Sequence, residues 1–439
     1  MAFYLNGIHT PHRKNTQDKP ALRLDAPASV IIPMSMHIGA PSVPTVKVGD
    51  EVKVGTKIAE GGGFVSVPAY SSVSGKVTKI GEILSSNGNM MSAITIESDG
   101  LMTPDENIKA PTVDSKESFV DAVKQSGIVG LGGAGFPVHV KLNVDPLRIE
   151  YIIVNGAECE PYVTSDTYTM INRTADMATA IDALIKFMGV KNIIFGIESN
   201  KKKAIASMRS LCSSISGDCK ATVKVLPAIY PQGGEKVLIY HTTGRVVGEG
   251  KLPIDVGCIV LNCTTLAAIG SYISRGMPLV KKCVTVSGGA VKNPQNVIAP
   301  VGTPIGKLFE ACGGFTEQPA KILYGGPMMG ITVPCTDLPV MKNTNAVLAL
   351  TQKEAKLPKT TACIRCGTCT NTCPFGMAPA EIAKAYENRD AVKLEELSIN
   401  TCMECGCCSF VCPANRPLVQ TNKLAKAFLR EQKTKEAKK

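Results

Sequence analysis

Residues 363–374 read Cys-Ile-Arg-Cys-Gly-Thr-Cys-Thr-Asn-Thr-Cys-Pro, and residues 402–413 read Cys-Met-Glu-Cys-Gly-Cys-Cys-Ser-Phe-Val-Cys-Pro. Both stretches follow the pattern C-x2-C-x2-C-x3-C-P, which is typical of chains that bind two 4Fe–4S clusters. In that pattern the fourth cysteine of each stretch ligates the other cluster. The spacing therefore predicts two sets of cluster ligands, Cys363, Cys366, Cys369 and Cys412 for one cluster, and Cys402, Cys405, Cys408 and Cys373 for the other.

Other roles for the cysteines are less well supported by the sequence. Zinc binding or structural thiols are the alternatives for the two stretches, but the repetition of a twelve-residue pattern with both prolines favours clusters. Cys407 neighbours Cys408, and the register of the first stretch favours Cys408 as the ligand and a packing role for Cys407. With 17 Cys and no apolar leader in the first residues, metal ligation is favoured over disulfides. We expect buried, inert thiols at the other eight positions: Cys159, Cys212, Cys219, Cys258, Cys263, Cys283, Cys312 and Cys335.

The composition indicates a globular chain of several domains. Its 439 residues and 44% hydrophobic content predict two to four domains with ordinary cores. The net charge of +11 is spread thinly except in 423–439, and no nucleic-acid-binding motif accompanies it, so we expect no nucleic-acid partner. The most apolar stretch, 258–273, contains Asn and Thr and is too short to span a bilayer. We therefore expect a cytosolic chain, or one peripheral on the cytosolic face of a membrane.

A glycine-rich segment, Gly-Leu-Gly-Gly-Ala-Gly-Phe-Pro at 130–137, follows a predicted helix over 118–125. Glycines allow a backbone to approach a flat ring or a phosphate closely. The segment does not fit the G-x-G-x-x-G fingerprint in its strand–turn–helix context. Downstream, β-branched runs from 151, 191 and 221 alternate with helical patterns such as 175–188, which predicts a parallel α/β sheet. Polar turns follow these strands, where open α/β sheets bind ligands.

Four segments, 130–141, 155–161, 230–235 and 262–266, resemble the four motifs of the NADH- and FMN-binding subunit of respiratory complex I. That family has no Rossmann fingerprint and holds FMN and NADH in one cavity lined by the glycine loop. The resemblance implies that nine residues contact FMN: Gly130, Gly132, Lys141, Asn155, Glu158, Tyr230, Gly233, Asn262 and Thr265. It also implies that four residues face the nicotinamide nucleotide, with the aromatic residue able to stack on it: Gly133, Phe136, Glu160 and Glu235.

The sequence departs from the complex I pattern at four positions, where an Arg, an Asp, a Ser and one Glu of a pair are replaced by Leu131, Ala157, Cys159 and Gly234. The complex I subunit also ends in one cluster rather than two. The order of modules over about 26–419, with segments 38–41, 325–330 and 363–367, is similar to that in the RnfC family of the Rnf complex. Rnf is a membrane complex that exchanges electrons between ferredoxin and NAD and pumps Na⁺ or H⁺. The resemblance implies membrane subunits and a ferredoxin-like subunit as partners, and a peripheral position on the cytoplasmic side of the membrane.

The expected fold is α/β and multidomain, with four modules and a tail. We predict a β barrel-sandwich-like, lipoyl-like module over 1–105, with strands that include 29–33, 45–48, 75–80 and 93–96. Its Lys76 lacks the setting of a swinging-arm lysine, so a structural or docking role is favoured. An FMN/NADH-binding α/β domain is expected over 106–275, a β-grasp-like (SLBB) domain over 276–350, a helical two-cluster ferredoxin domain over 351–420 and a basic tail over 421–439. The tail is expected to be a solvated or lipid-facing helix with Leu424, Ala427 and Phe428 on one face.

The expected activity is that of an NAD-linked oxidoreductase. Hydride exchange between NAD(H) and FMN would be followed by single-electron steps through the two 4Fe–4S clusters, and no catalytic acid or base is required. Two alternatives share the motifs. One is a soluble NADH-dependent electron donor to a reductase or hydrogenase. The other is a structural ferredoxin-like adaptor without nucleotide binding, which Leu131 and Ala157 motivate.

Overall fold

The computed structural model describes residues 5–436, of which residues 5–98 contain eight strands, and all of these but β1 form the first module. These strands are β1 (Leu22–Arg23), β2 (Ser29–Pro33), β3 (Val43–Pro44), β4 (Glu51–Val52), β5 (Lys57–Glu60), β6 (Ala69–Tyr70), β7 (Gly75–Leu84) and β8 (Met90–Ser98). One sheet has the order β2-β8-β7-β4 and a second has the order β3-β5-β6. Side chains from both sheets, such as Val30, Ile58 and Ile96, are fully buried in one core, so the module is a sandwich. The predicted strand over 45–48 is wrong, because the chain turns there and Asp50 accepts a hydrogen bond from the Lys47 amide.

The second module is a four-stranded parallel sheet with helices. In chain order it contains α1 (Lys116–Gln125), α2 (Val138–Leu142), β9 (Tyr151–Gly156), α3 (Ser165–Asn172), α4 (Thr174–Met188), β10 (Asn192–Glu198), α5 (Lys202–Ser214), β11 (Lys220–Leu226), α6 (Glu235–Thr243), β12 (Cys258–Asn262) and α7 (Cys263–Arg275), with 3-10 turns at Pro146–Arg148 and Pro253–Val256. The strand order is β11-β10-β9-β12. The chain runs outward from β9 to β11 and then returns to the other side of β9. The switch point therefore lies between β9 and β12, where such sheets bind ligands.

The third module is a six-stranded mixed sheet. It contains β13 (Lys281–Ser287), β14 (Gln295–Pro300), α8 (Ile305–Ala311), β15 (Lys321–Tyr324), β16 (Ile331–Thr332), β17 (Ala346–Leu350) and α9 (Gln352–Ala355). Its order is β1-β14-β13-β17-β15-β16, so β1, which precedes the sandwich strands in the chain, belongs to this sheet and pairs in parallel with β14. Phe309 of α8 is buried against Val284 and Val347 of the sheet.

The fourth module is helical and repeats itself. Its helices are α10 (Thr368–Thr372), α11 (Pro379–Glu387), α12 (Ala391–Glu396), α13 (Cys407–Phe410) and α14 (Leu418–Glu436), with a 3-10 turn at Ile399–Thr401. Residues with a left-handed backbone conformation recur 39 positions apart, which is also the separation of Cys363 and Cys402 (402 − 363 = 39). They are Arg365, Gly367 and Gly376 in one half, and Glu404, Gly406 and Asn415 in the other. The two cysteine stretches therefore share one backbone conformation as well as one pattern.

The tail is helical, as predicted, but the expectation of a solvated or lipid-facing helix with Leu424, Ala427 and Phe428 on one face is wrong. Residues 421–436 belong to α14, which packs along α11, and the buried face carries Asn422, Ala425 and Leu429. Leu424 is 54% exposed. The spacing of three and four residues between the buried positions is that of an amphipathic helix, and the sequence alone did not show which stripe was covered.

The N-terminal segment ties the modules together. Ile8 pairs with Tyr230, and the ammonium of Lys14 donates to the carbonyl oxygens of Glu158, Glu160 and Val163 at 2.6–2.7 Å. Burial lowers the pKa of Lys14 to about 8. Within residues 5–436, no helix combines the length and the apolar character needed to cross a bilayer.

Candidate functional site: a cavity beside two cysteine loops

A cavity of about 480 Å³ opens at the switch point between β9 and β12. Asn155 at the end of β9 and Asn262 at the end of β12 are register partners, so both lie at this edge of the sheet. Nine of the thirteen predicted contact residues line the cavity: Gly130, Gly132, Gly133, Phe136, Lys141, Asn155, Glu235, Asn262 and Thr265. The four motif segments therefore meet in one place, although 135 residues (265 − 130) separate the first from the last.

The glycine loop is closed on itself and held by its neighbours. The Gly130 amide donates to the Phe136 carbonyl at 2.9 Å, and the Leu131 amide donates to Thr265 Oγ1 at 2.9 Å. Asn343 of the third module donates to the Gly133 carbonyl at 2.8 Å, and the Ile38 amide of the sandwich donates to the loop as well. Three modules thus fix the conformation of this loop.

Two glycines show why the loop needs this composition. A Cβ on Gly132 would lie 2.4 Å from Asn262 Nδ2, so only glycine allows the loop to approach α7 this closely. A Cβ on Gly133 would meet no atom within 4 Å, so a side chain there would enter open space at the cavity. The loop therefore presents bare backbone to whatever occupies the cavity.

The polar groups of the cavity lie on side chains that are held in place. Lys141 Nζ pairs with Glu235 Oε1 at 2.7 Å, and both side chains are partly exposed. Asn155 donates to the Gly233 carbonyl at 2.9 Å. Asn262 caps α7 by accepting from the Thr264 and Thr265 amides, and it donates to Asp166, so its side chain is already engaged. Lys141 and Glu235 are left as the charged groups that a ligand would meet.

The other four predicted contacts support the site from behind. Glu158 accepts from the Asp166 amide at 2.7 Å and from Thr167 at 2.6 Å, and burial raises its pKa to about 7. Glu160 accepts from the amides of Met328 and Met329. The last two, Tyr230 and Gly233, belong to the turn before α6. None of the four lines the cavity, and their assignment as cofactor contacts stays a prediction.

The sequence did not reveal the apolar wall of the cavity. Val138, Val144, Leu252, Pro253 and Ile254 lie there beside β12. Apart from Val138 they lie outside the four motif segments, because an apolar wall needs only hydrophobic side chains of suitable size. Their position depends on how the turn at Pro253–Val256 folds over β12, which no spacing in the sequence predicts.

These residues fit a flavin. The volume lies within the usual range of small-molecule sites, the wall is apolar as a ring system requires, and the bare glycine backbone allows close approach. Lys141 supplies a cation for a phosphate.

The second cysteine stretch surrounds a small cavity together with one cysteine from the first. The cysteines that line it are Cys373, Cys402, Cys405, Cys407 and Cys408. Cys373 thus lies beside the second stretch, as crossed ligation requires, and the ligand assignment itself stays a prediction. Cys407 Sγ is directed at the Tyr230 carbonyl at 3.8 Å, which agrees with a packing role for this residue.

The first stretch is more open. Cys363 and Cys366 are exposed, and Cys369 and Cys412 pack against a common buried group that includes Ala383. No three His, Cys, Asp or Glu side chains within residues 5–436 are placed to hold a single metal ion. The fit to clusters thus rests on the cysteine chemistry, the repeated loop conformation and the grouping of Cys373 with the second stretch.

The cavity and the cysteine module meet at one turn. Tyr230 Oη donates to the Cys405 carbonyl at 2.7 Å. A Cβ on Gly234 would lie 2.2 Å from Met403 Cε, so the glycine at this departure from the complex I pattern makes room for the second cysteine stretch. The next residue, Glu235, lines the cavity. A single turn therefore separates the predicted flavin cavity from the predicted Cys402 cluster.

Comparisons with known proteins agree with this arrangement. Family models match four segments: the RnfC barrel sandwich hybrid domain at 3–101, the Nuo51 FMN-binding domain at 123–271, the SLBB domain at 283–332 and the 4Fe-4S dicluster domain at 359–423. The predicted flavin and two-cluster domains are confirmed at this level. Fold and site together define an iron–sulfur flavoprotein of electron transfer.

Three relatives narrow the class, and each is the RnfC component of its complex. The relative from the Na(+)-translocating ferredoxin:NAD(+) oxidoreductase complex of Acetobacterium woodii is 43% identical over 98% of this chain and 98% of its own. The relative from the proton-translocating complex of Clostridium ljungdahlii is 40% identical over 87% of this chain and 84% of its own. The relative from the ion-translocating oxidoreductase complex of Rhodobacter capsulatus is 39% identical over 98% of this chain and 83% of its own. The chain belongs to the RnfC family of ion-translocating ferredoxin:NAD(+) oxidoreductase (Rnf) complexes, as predicted.

Among solved structures, the NAD+-reducing [NiFe]-hydrogenase in its H2-reduced state aligns with a TM-score of 0.46 at 16% identity, over 72% of this chain and 61% of that one.

Proposed function

We propose that this chain is the part of a ferredoxin:NAD(+) oxidoreductase complex that exchanges electrons with NAD(H) and passes them singly along two 4Fe–4S clusters. One observation carries the proposal: the predicted flavin cavity and the Cys402 stretch share the turn from Tyr230 to Glu235. Bound in the cavity, FMN supplies the conversion between hydride exchange with the nicotinamide and single-electron steps. The residues of this chain bind, orient and insulate these groups.

The residues that line the cavity are proposed as the cofactor contacts. Gly130 and Gly132 would present backbone to the ring, Lys141 would pair with the phosphate, and Thr265 fixes the loop. Gly133, Phe136 and Glu235 lie on the same wall and are proposed to face the nicotinamide nucleotide, with the phenyl ring available for stacking. Glu158, Glu160, Tyr230 and Gly233 are proposed to position this wall from behind.

The two clusters are proposed to differ in position. The cluster of Cys402, Cys405, Cys408 and Cys373 would lie next to the cavity, and the cluster of Cys363, Cys366, Cys369 and Cys412 would lie at the surface. Burial and exposure of the cysteines support this order, since Cys405 and Cys408 are buried whereas Cys363 and Cys366 are exposed.

The surface around the Cys363 stretch supports the proposed partners. Residues 356–367 are exposed throughout, carry Lys356, Lys359 and Arg365, and contain no acid. Ile364 in this segment is 68% exposed. A basic rim around an apolar centre suits an acidic redox partner such as a ferredoxin-like subunit. We propose that the chain sits peripherally on the cytoplasmic side of the membrane, held by the membrane subunits of the complex.

Reconstitution tests the proposal. The cluster-loaded chain is expected to take up FMN and, on addition of NADH without oxygen, to lose both flavin and cluster absorbance. Gly133→Leu would fill the open space on the cavity wall where the nicotinamide nucleotide is proposed to lie, and should abolish NADH-driven reduction while FMN and the clusters stay bound. Gly63→Leu, at an exposed glycine of the sandwich, is the matched control and should behave as the parent. If the parent takes up no FMN, the proposal fails.

A further inference from the structure

A second cavity, of about 550 Å³, lies on the other side of the glycine loop from the flavin cavity. The sandwich, the α/β domain and the third module all contribute to its wall, for example through Met102, Arg173 and Lys281. The motifs that resemble complex I place no residue in its wall other than Leu131 of the glycine loop and Thr264 of α7. Its volume lies within the usual range for small-molecule sites.

The charge of this cavity is one-sided. Five cations line it, and one carboxylate, that of Asp176, faces them; the cations are Arg23, Arg173, Arg275, Lys281 and Lys282. The Asp176 carboxylate already forms ion pairs with Arg173 at 2.8 Å and with Arg275 at 2.6 Å. Among residues 5–436, no further carboxylate lines the cavity to pair with the other three cations.

Two of those three cations are free. Between residues 5 and 436, neither Arg23 nor Lys281 has a hydrogen bond or an ion pair for its side chain, and both are exposed at the cavity. Arg23 is placed here by β1, which pairs with β14 of the third module. Guanidinium and ammonium groups held together without acids bind phosphates and carboxylates.

The third cation is buried. Lys282 is 2% exposed, and its ammonium donates to the Leu131 carbonyl at 2.7 Å. Burial lowers the pKa of this lysine to about 8. The Asp166 carboxylate lies near enough to oppose this shift, but the hydrogen bond of the ammonium goes to the Leu131 carbonyl. An anion in the cavity would satisfy the remaining N–H groups of Lys282.

We propose that this cavity binds a small organic phosphate, whose charged groups pair with Arg23, Lys281 and Lys282 and whose apolar part lies against side chains such as Met102 and Ile128. The apolar residues complete the wall beside the cations, so a ligand with both characters fits better than a bare ion.

The site is placed to influence the flavin cavity. Leu131 carries the carbonyl that Lys282 holds, and its neighbours Gly130 and Gly132 line the other cavity. A ligand that draws the Lys282 ammonium away would loosen the glycine loop, and by linkage FMN and this ligand would change each other's affinity by the same factor. This coupling rests on the proposed flavin site, whereas the binding itself does not.

The test uses the full chain loaded with FMN and both clusters, in excess NAD⁺ and at constant ionic strength, so that the first cavity is filled. Calorimetry with ADP, and separately with inorganic pyrophosphate, is expected to show saturable binding of one ADP per chain, with pyrophosphate weaker. The Arg23→Gln/Lys281→Gln double variant should weaken ADP binding about tenfold or more. Lys220→Gln/Lys292→Gln removes the same charge from exposed positions outside the cavity and should bind as the parent does.

Equal ADP affinity in both double variants would place the ligand elsewhere and overturn the proposal, as would the absence of saturable binding in the parent. Pyrophosphate binding as tight as ADP binding would overturn the organic part of the assignment. FMN content and NADH-driven cluster reduction, measured on parallel samples without ADP or added NAD⁺, report on the proposed function separately. Both are expected to be unchanged in the two double variants.

Discussion

Two polar side chains donate hydrogen bonds to predicted cluster ligands, one in each half of the cysteine module. Asn422 Nδ2 contacts Cys402 Sγ at 3.4 Å, and Thr368 Oγ1 contacts Cys366 Sγ at 3.3 Å. Asn422 is 1% exposed, so water cannot easily replace its contact. Hydrogen bonds to thiolate sulfur stabilise the more negative, reduced cluster and so raise its reduction potential.

Asn422→Ala is therefore expected to lower the potential of the Cys402 cluster. A hydrogen bond worth about 1 kcal/mol corresponds to about 40 mV for one electron. Redox titration followed by EPR measures both clusters in one sample. Thr368→Val is the matched variant and should lower the potential of the other cluster only. A change of both potentials by either variant would contradict the assignment of the two hydrogen bonds.

The buried carboxyl of Glu160 is expected to make the stability of the protein depend on pH. Burial raises the pKa of this carboxyl from 4.5 to about 7, against the opposing hydrogen bonds from Met328 and Met329. Because the folded-state pKa is raised, the stabilisation is fully present below about pH 4.5 and is lost as the pH rises through about 7. Glu160→Gln should flatten the fall in unfolding free energy between pH 5.5 and 8 by on the order of 1 kcal/mol.

The pKa of Glu158 is also raised, so in Glu160→Gln the slope of unfolding free energy against pH is reduced rather than abolished. Glu97→Gln changes an exposed carboxyl and should leave the slope as in the parent. The slope, and not the absolute stability, is the measure, since glutamine also alters the hydrogen bonds. A parent slope retained in Glu160→Gln would contradict this account.

Motif residues were easier to find in the sequence than to orient. The glycine loop, Lys141 and Glu235 line the cavity as their motifs predicted. Glu158 and Glu160 occur in the same motif as Asn155, yet their side chains turn to backbone amides of α3 and of the loop at 328–329. A left-handed φ of 49° at Glu158 redirects the chain there, and spacing alone does not predict such a turn.

At the scale of elements, the parallel strands and their helices were predictable, and the packing of the last helix was not. The β-branched runs identified β9, β10 and β11, because buried parallel strands are rich in apolar residues. α14 has many charges and a weak apolar stripe, so its burial depends on the groove that α11 provides. Tertiary contacts of this kind override local pattern.

The packing of α14 can be tested with two leucines of the same helix. Leu429 is 3% exposed whereas Leu424 is 54% exposed. Leu429→Ala should destabilise the cysteine module by about 2–4 kcal/mol, because it leaves a cavity against α11. Leu424→Ala should change stability by less than about 0.5 kcal/mol. The rate of iron loss to a chelator reports the stability of the module, and equal rates in the two variants would refute the packing.

The repeated cysteine stretches lead to a prediction about ligation. Cys373 lies with the Cys402 stretch, and Cys412 lies near Cys369. Cys412→Ala is therefore expected to lose the Cys363 cluster and keep the other, as seen by iron content and EPR. Loss of the Cys402 cluster alone would show that each stretch ligates its own cluster.

At the scale of the whole molecule, the modules are joined by contacts that could not be predicted from the sequence. The crossing of β1 into the third module and the contact of Ile8 with Tyr230 join residues more than 200 positions apart. The module order was recognisable from motifs, but the docking of the Cys402 stretch on the turn at 230–234 depends on tertiary contacts, such as the hydrogen bond from Tyr230 to the Cys405 carbonyl and the close packing of Met403 on Gly234. This docking supports the proposed path from the cavity to the exposed surface at 356–367.

The order of that path is tested most directly by NADH reduction of two single-cluster variants, both loaded with FMN and followed by freeze-quench EPR. In Cys412→Ala, which should keep only the Cys402 cluster next to the cavity, the account predicts rapid reduction of that cluster by NADH. In Cys373→Ala, which should keep only the Cys363 cluster, it predicts reduction of the flavin while the cluster stays oxidised on the same timescale. Rapid cluster reduction in Cys373→Ala with slow reduction in Cys412→Ala would contradict the proposed path.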